Sequence, residues 1–165
     1  MGRILVADDH DSLRRGLARA LTEAGHEVEE APNGTAALER LHEGPFDVVL
    51  TDLKMPGPDG LAVLAHTRKT RPDTEVILMT GHATVESAVN AMKLGAFHYI
   101  TKPFSVDEVV QLVDRVLVDD LQRFHPRPRL VEDEVGAFEN LAQQGKCGFL
   151  VLGDKEGLLH EVKFT

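Results

Sequence analysis

Cysteine is almost missing from this sequence: Cys147 stands alone in 165 residues. No internal disulfide can form, which suits a reducing compartment, and a cysteine-based zinc site is excluded. No apolar run approaches the roughly 18 residues that a membrane span needs. Basic residues are scarce, with 18 Lys and Arg against 27 Asp and Glu and a formal net charge of −9. That balance argues against direct binding to a nucleic-acid phosphate backbone. The start, Met1-Gly2-Arg3-Ile4-Leu5, lacks a signal-peptide layout, and Ala7 breaks a myristoylation pattern. A cytoplasmic protein without a membrane partner is the expectation. The eight histidines form no His-Glu-x-x-His pattern and are expected to be solvated. Gly153–Gly157 reads as a turn, because the Gly-x4-Gly-Lys-Ser/Thr phosphate loop is absent.

What is present is alternation. Arg3–Ala7, His26–Glu30, Phe46–Thr51, Glu75–Thr80 and Phe97–Thr101 read as strands, the second polar enough for a sheet edge. Between and after them lie helix-period segments. Leu13, Leu17, Ala20, Leu21 and Ala24 share a stripe in the first helix, which Gly25 ends. Asn33-Gly34 opens the second helix, and Leu61–Lys69 forms the third after the break at Pro56, Gly57, Pro58 and Gly60. In the fourth, Val85, Ala88, Val89 and Met92 are expected to face inward before Gly95 stops it. Ser105 with Glu108 makes a capping box for the fifth. Five βα units predict an α/β fold with a doubly wound parallel sheet, helices covering both faces. Right-handed crossovers favour the flavodoxin-like strand order 2-1-3-4-5, which brings the ends of strands 1 and 3 into one crevice.

The residues just past those strand ends carry the chemistry. Asp8 and Asp9 follow strand 1, Asp52 follows strand 3, Thr80 ends strand 4, and Lys102-Pro103 follows strand 5. Three carboxylates in one crevice repel each other and need compensation. Lys102 supplies one positive charge and Mg2+ would supply the remaining two, keeping open positions for a phosphoryl oxygen. Asp52, alone on a central strand, is the best nucleophile for an aspartyl-phosphate, while the Asp8–Asp9 pair suits a metal. Thr80 and backbone N–H groups near Lys54 would serve the phosphoryl oxygens.

Ile4–His10, Val48–Gly60, Val76–Ala96 and Tyr99–Phe104 together resemble the receiver domain of two-component response regulators, and the wording is most similar to NtrC-type receivers. The resemblance implies a flavodoxin-like (CheY-like) fold and a switch phosphorylated on Asp52 by a sensor histidine kinase. It implies that Asp9, Asp52 and the backbone carbonyl of Lys54 ligate Mg2+ and that Asp8 holds the metal through water. It further implies that Lys102 binds a phosphoryl oxygen, that Thr80 swings toward the phosphate with Tyr99 turning inward behind it, and that the Lys102–Pro103 bond is cis. The signal would emerge on the face of helix 4, strand 5 and helix 5. Such a protein is not an enzyme beyond its own phosphorylation and dephosphorylation. His98 stands where many relatives carry Asp.

Two other readings compete. A haloacid-dehalogenase-type phosphohydrolase also uses Asp, Mg2+ and Lys, but it wants Asp-x-Asp after its first strand. A phosphorylation-independent adaptor has no need of the intact acid triad. The tail is organised differently. Residues 1–123 form the receiver, 124–131 read as a proline-rich linker, and 132–165 read as a short extension of a helix over Glu132–Gln144 and a hairpin around Gly153–Gly157. NtrC-type relatives continue into an ATPase and a helix-turn-helix, and neither pattern occurs here. Phe138–Leu152 is faintly similar to the opening of PATAN-type domains. The apolar stripe of Val135, Phe138 and Leu141 raises the expectation of a homodimer.

Overall fold

The computed structural model describes residues 1–122, 150–153 and 159–162. Five strands, β1 (Arg3–Ala7), β2 (Glu27–Ala31), β3 (Val48–Asp52), β4 (Glu75–Thr80) and β5 (His98–Thr101), form one sheet in the order β2-β1-β3-β4-β5. Every neighbouring pair in it is parallel. The helices are α1 (Asp11–Glu23), α2 (Gly34–Glu43), α3 (Gly60–Thr70), α4 (Val85–Lys93) and α5 (Val106–Gln122). This is the flavodoxin-like arrangement expected from the alternation, and the CheY-like one that the resemblance implies. A separate antiparallel pair joins β6 (Leu150–Gly153) to β7 (Leu159–Val162), matching the expected hairpin strands. The expected linker over 124–131, the helix over 132–144 and the stripe of Val135, Phe138 and Leu141 lie outside the described residues.

Period-two alternation divides the strands between two cores. Leu5, Ala7, Val49, Val76 and Leu78 pack with Ala37, Leu41, Val63, Leu64, Ala88 and Ala91 on the α2–α3–α4 side. Ile4, Val6, Val48, Leu50, Ile77 and Met79 pack with Leu17, Leu21, Val109, Val113 and Val116 on the α1–α5 side. The strands of the three central positions are buried on both faces, as a doubly covered sheet requires. β2 is the edge and its burial is partial.

The helix ends follow the capping chemistry. Asn33 accepts from Ala36 N–H and Asp59 from Ala62 N–H at 2.8 Å each. Ser105 and Glu108 exchange the two bonds of a capping box. Gly25 and Gly95 end α1 and α4 at φ 95° and 93°, a region open to glycine.

Several details depart from expectation. β3 and β5 begin two and one residues late, at Val48 and His98, and β2 runs from Glu27 to Ala31. Val85 is 37% exposed because it begins α4, one turn before Ala88 and Val89 reach the sheet. Ala24 is exposed past the end of α1, while Arg14 and Ala18 are buried on its inner face. His26 is not solvated: it is buried, with Nδ1 accepting from Gly2 N–H at 3.3 Å and Nε2 lying 3.0 Å from Asp114 on α5.

Candidate functional site

Strand register explains why the key side chains meet. Ala7 pairs with Thr51, Asp52 with Met79, and Met79 with Ile100. Val6, Leu50, Met79 and Ile100 all belong to the α1–α5 core. One alternation further along, Asp8, Asp52 and Lys102 extend those rows over the carboxyl end of the sheet. Residues 94 and 50 positions apart in the chain thus become neighbours. Lys102 Nζ donates to Asp8 Oδ2 at 2.7 Å and lies 2.9 Å from Asp52 Oδ1. Asp8 is fully buried and Asp52 only 4% exposed.

The charges do not balance. One ammonium faces two buried carboxylates, and Asp9 adds a third, partly exposed one. Burial pushes Asp52 above the usual carboxylate range; Lys102 opposes this, and the charges of Asp8 and Asp9 reinforce it. Burial also works against the charge on Lys102, but its bonds to Asp8 and Asp52 outweigh that and hold it above the ordinary lysine value. The two causes differ: Asp52 is raised mainly by its burial, Lys102 by the carboxylates it holds. A site in this condition favours a further cation.

Asp8 is held by other partners. Its Oδ1 accepts from His10 N–H at 2.8 Å, and its backbone carbonyl accepts from Arg14 Nη1 at 2.8 Å. The buried Arg14 guanidinium also binds Asp11 and Glu30, which join the start of α1 to β2. Neither Asp8 nor Asp9 caps α1; its N-cap is His10, without a side-chain cap. His10 Nδ1 sits 3.2 Å from carboxylate oxygens of both Asp8 and Asp9. A cleft of about 480 Å³ opens beside the rim, lined by Asp9, Lys54, Asp59 and the apolar Leu53, Met55, Pro56 and Leu61. Lys54 and Asp9 thus line the same cleft. Gly60 packs so closely under this loop that a Cβ there would lie 2.4 Å from the Asp52 carbonyl oxygen.

The alternation sets Thr80 and Tyr99 apart from the carboxylates. Thr80 follows Leu78 and Tyr99 belongs to the α2–α3–α4 core. Thr80 is buried at the strand end, with its hydroxyl accepting from His82 N–H at 3.1 Å and its carbonyl accepting from Lys102 N–H at 2.7 Å. Tyr99 already points inward, 3% exposed, with its hydroxyl 2.7 Å from Ser87 Oγ. Ser87 has one proton. Ser87 Oγ also meets the Thr84 carbonyl at 2.9 Å and accepts from Thr84 N–H at 3.1 Å. The Lys102–Pro103 peptide is cis, as expected.

Sequence reasoning did not single out Arg14 or Ser87, and it read Gly60 only as part of the break before the third helix, whereas Gly60 begins α3. Arg14 left one signal, a charge lying between Leu13 and Leu17 on the inner stripe of α1. His10 was legible too, directly after the vicinal acids.

Residues 4–114 match the response regulator receiver domain family. The chain belongs to that family. It is 42% identical over 126 residues to the DNA-binding transcriptional regulator NtrC of Escherichia coli K12, covering 76% of this chain and 27% of that protein. It is 44% identical over 117 residues to the regulatory protein AtoC of the same strain, covering 71% of this chain and 25% of that one. The chain thus spans about a quarter of the length of these curated relatives. Among solved structures, the receiver domain of NtrX from Brucella abortus is 34% identical with a TM-score of 0.65, covering 70% of this chain and 98% of that one. The response regulator TrrA from Thermotoga maritima, in complex with Mg2+-BeF, is 36% identical with a TM-score of 0.64, covering 70% of this chain and 99% of that one. Receiver domain, two-component class and NtrC-like character are therefore established. Among the described residues, no helix is long and apolar enough to cross a membrane.

Proposed function

We propose that this receiver domain is a phosphoacceptor switch in which Asp52 takes a phosphoryl group from a sensor histidine kinase. The observation that carries this is the bond pattern of Lys102, whose Nζ holds Asp8 at 2.7 Å and Asp52 at 2.9 Å on a rim with excess negative charge. An Asp52 carboxylate oxygen attacks phosphorus as the phosphorus–nitrogen bond of the donor breaks. The electron pair returns to the imidazole, which takes up a proton, and an acyl phosphate remains on Asp52. Later attack by water releases inorganic phosphate and restores the carboxylate.

The donor set fits Mg2+: Asp9 and Asp52 would supply hard oxygen ligands with the Lys54 carbonyl, Asp8 would act from behind them, and the local charge is negative. The Mg2+-BeF complex of the TrrA relative supports the same reading. When bound, the ion supplies positive charge for the phosphoryl oxygens. Lys102 Nζ, shared between Asp8 and Asp52, is the residue that would meet a phosphoryl oxygen on Asp52. Asp8 keeps Lys102 oriented meanwhile, and Arg14 keeps Asp8 in place.

The switch works through Thr80. If its hydroxyl turns to the phosphoryl group, it abandons His82 N–H and the segment leading into α4 must rearrange. Tyr99 and Ser87 tie that helix to β5, so the signal emerges on the α4–β5–α5 face. Inverting a 1:99 population requires about 5.5 kcal/mol of preference for one state. On this reading the chain has no enzymatic turnover of other substrates. Its kinase and output partner are proteins, and residues 1–123 act as the signalling unit.

Incubation with acetyl phosphate and Mg2+ tests the reading. Stoichiometric labelling, lost in Asp52→Asn, is expected. Multiple turnover of small phosphate esters would place the chain among phosphohydrolases, and no labelling would leave it an adaptor.

A further inference from the structure

Two histidines that the phosphoacceptor reading leaves unused meet on the α2–α3 flank. His42 stands one residue before the end of α2, and His66 lies just past the middle of α3. Both helices run back against the strand direction, so the pair sits toward the amino end of the sheet, away from the rim of Asp8, Asp52 and Lys102. Their ring centroids are 5.1 Å apart, with the ring planes at 67°. His42 is exposed and His66 half-buried. Among the described residues, neither imidazole has a hydrogen bond or an ion pair, so its nitrogens are open to a ligand. The backbone under them is fixed. Leu41, next to His42, is buried in the core, and its carbonyl accepts from Nη2 of Arg71, just past α3, at 3.4 Å. The His66 carbonyl accepts from Thr70 Oγ1 at 2.9 Å.

We propose that His42 and His66 form a two-imidazole site for one borderline divalent cation of the zinc, nickel and copper class. An imidazole nitrogen binds zinc at about 2.0–2.1 Å with the ion in line with the ring, so the ion stands about 3.2 Å from the ring centroid. Two such rings at the tetrahedral angle have centroids about 5.2 Å apart, which the observed 5.1 Å matches. Neutral imidazole suits zinc, copper and nickel, whereas Mg2+ takes oxygen ligands, so ligand chemistry selects the ion. Rotation about histidine χ2 is soft, so each ring can turn a nitrogen into the shared space while the helices stay in place. His42 also lies in the last turn of α2, whose carbonyl end attracts cations. Among the described residues, no third His, Cys, Asp or Glu donor joins the pair, so water completes the coordination. The bound ion ties α2 to α3 and touches none of the phosphoacceptor residues.

Titration calorimetry of the full chain with Zn2+ alone tests this. His10→Ala serves as the background, because the His10 ring lies 3.2 Å from Asp8 and Asp9 and would otherwise compete for the ion. Cys147 and the other histidines are common to every variant and cancel in the comparison. A second tethered donor raises affinity about tenfold or more over a lone imidazole. His42→Ala and His66→Ala should therefore each weaken the same Zn2+-binding step by about tenfold or more, and the double variant should lose no more than either one. In NMR spectra of the background protein, the two ring signals that these variants remove should shift together as Zn2+ is added. Unchanged Zn2+ binding in either single variant, losses that add in the double variant, or a shift of only one of the two ring signals overturns the proposal and leaves an edge-to-face ring contact.

Discussion

Replacing Lys102 by alanine exposes how much of the local stability rests on one ammonium. The change leaves Asp8, fully buried, and Asp52, 4% exposed, without their shared cation. Breaking a buried pair by removing one partner costs about 3–5 kcal/mol. Lys102 is 19% exposed at its side chain, so water reaches the gap and the low end, about 3 kcal/mol, is expected. With a urea m-value of about 2 kcal/mol/M, the midpoint should fall by about 1.5 M. Asp52→Asn removes one of the stranded charges. Combined with Lys102→Ala it should recover at least about 1 kcal/mol, so the two changes couple. Mg2+ at millimolar concentration should raise the Lys102→Ala midpoint more than the wild-type midpoint, because it restores the missing charge. Strictly additive losses in the double variant, or no loss in Lys102→Ala, would refute the electrostatic account of the rim.

Other consequences are equally direct. Because burial raises Asp52, the native state binds more protons than the unfolded chain between the ordinary Asp value of about 3.9 and the raised one. That group's contribution therefore falls as pH rises through this window, and Asp52→Asn should be the more stable protein at pH 7, with the gap closing on acidification; a gap independent of pH in urea titrations would contradict this. Gly60→Ala forces a Cβ to 2.4 Å from the Asp52 carbonyl and 2.9 Å from Leu53 Cα, both backbone, and should cost at least about 2 kcal/mol and weaken acetyl-phosphate labelling. Ser87→Ala removes the partner of the Tyr99 hydroxyl and the acceptor of Thr84 N–H, one half of the α4 capping box, so amide exchange at the α4 start should quicken and stability drop by about 1–2 kcal/mol. His26→Leu removes the acceptor of Gly2 N–H and the partner of Asp114, and a loss of about 1–3 kcal/mol in thermal or urea unfolding checks it.

Sequence alone determined the strand and helix order, the doubly wound sheet and the row of Asp8, Asp52, Thr80 and Lys102 at its carboxyl end. The reason is local: strand alternation, helix period and capping residues are written within a few positions of each other, and a parallel sheet with right-handed crossovers leaves few ways to connect them. The expected meeting of Asp8, Asp52 and Lys102 followed from that topology, and the register places them within hydrogen-bond reach. Tertiary structure decided the rest. Arg14 under the Asp8 carbonyl, His26 between Gly2 and Asp114, Ser87 against Tyr99 and Gly60 against Asp52 each depend on how two elements pack against each other, whether consecutive like β1 and α1 or distant like His26 and α5. Val85 faces solvent for the same reason, since a helix's first turn can overhang the sheet it covers. Periodicity fixes which face of an element is apolar; only the packing of elements fixes which polar group on one meets which on another.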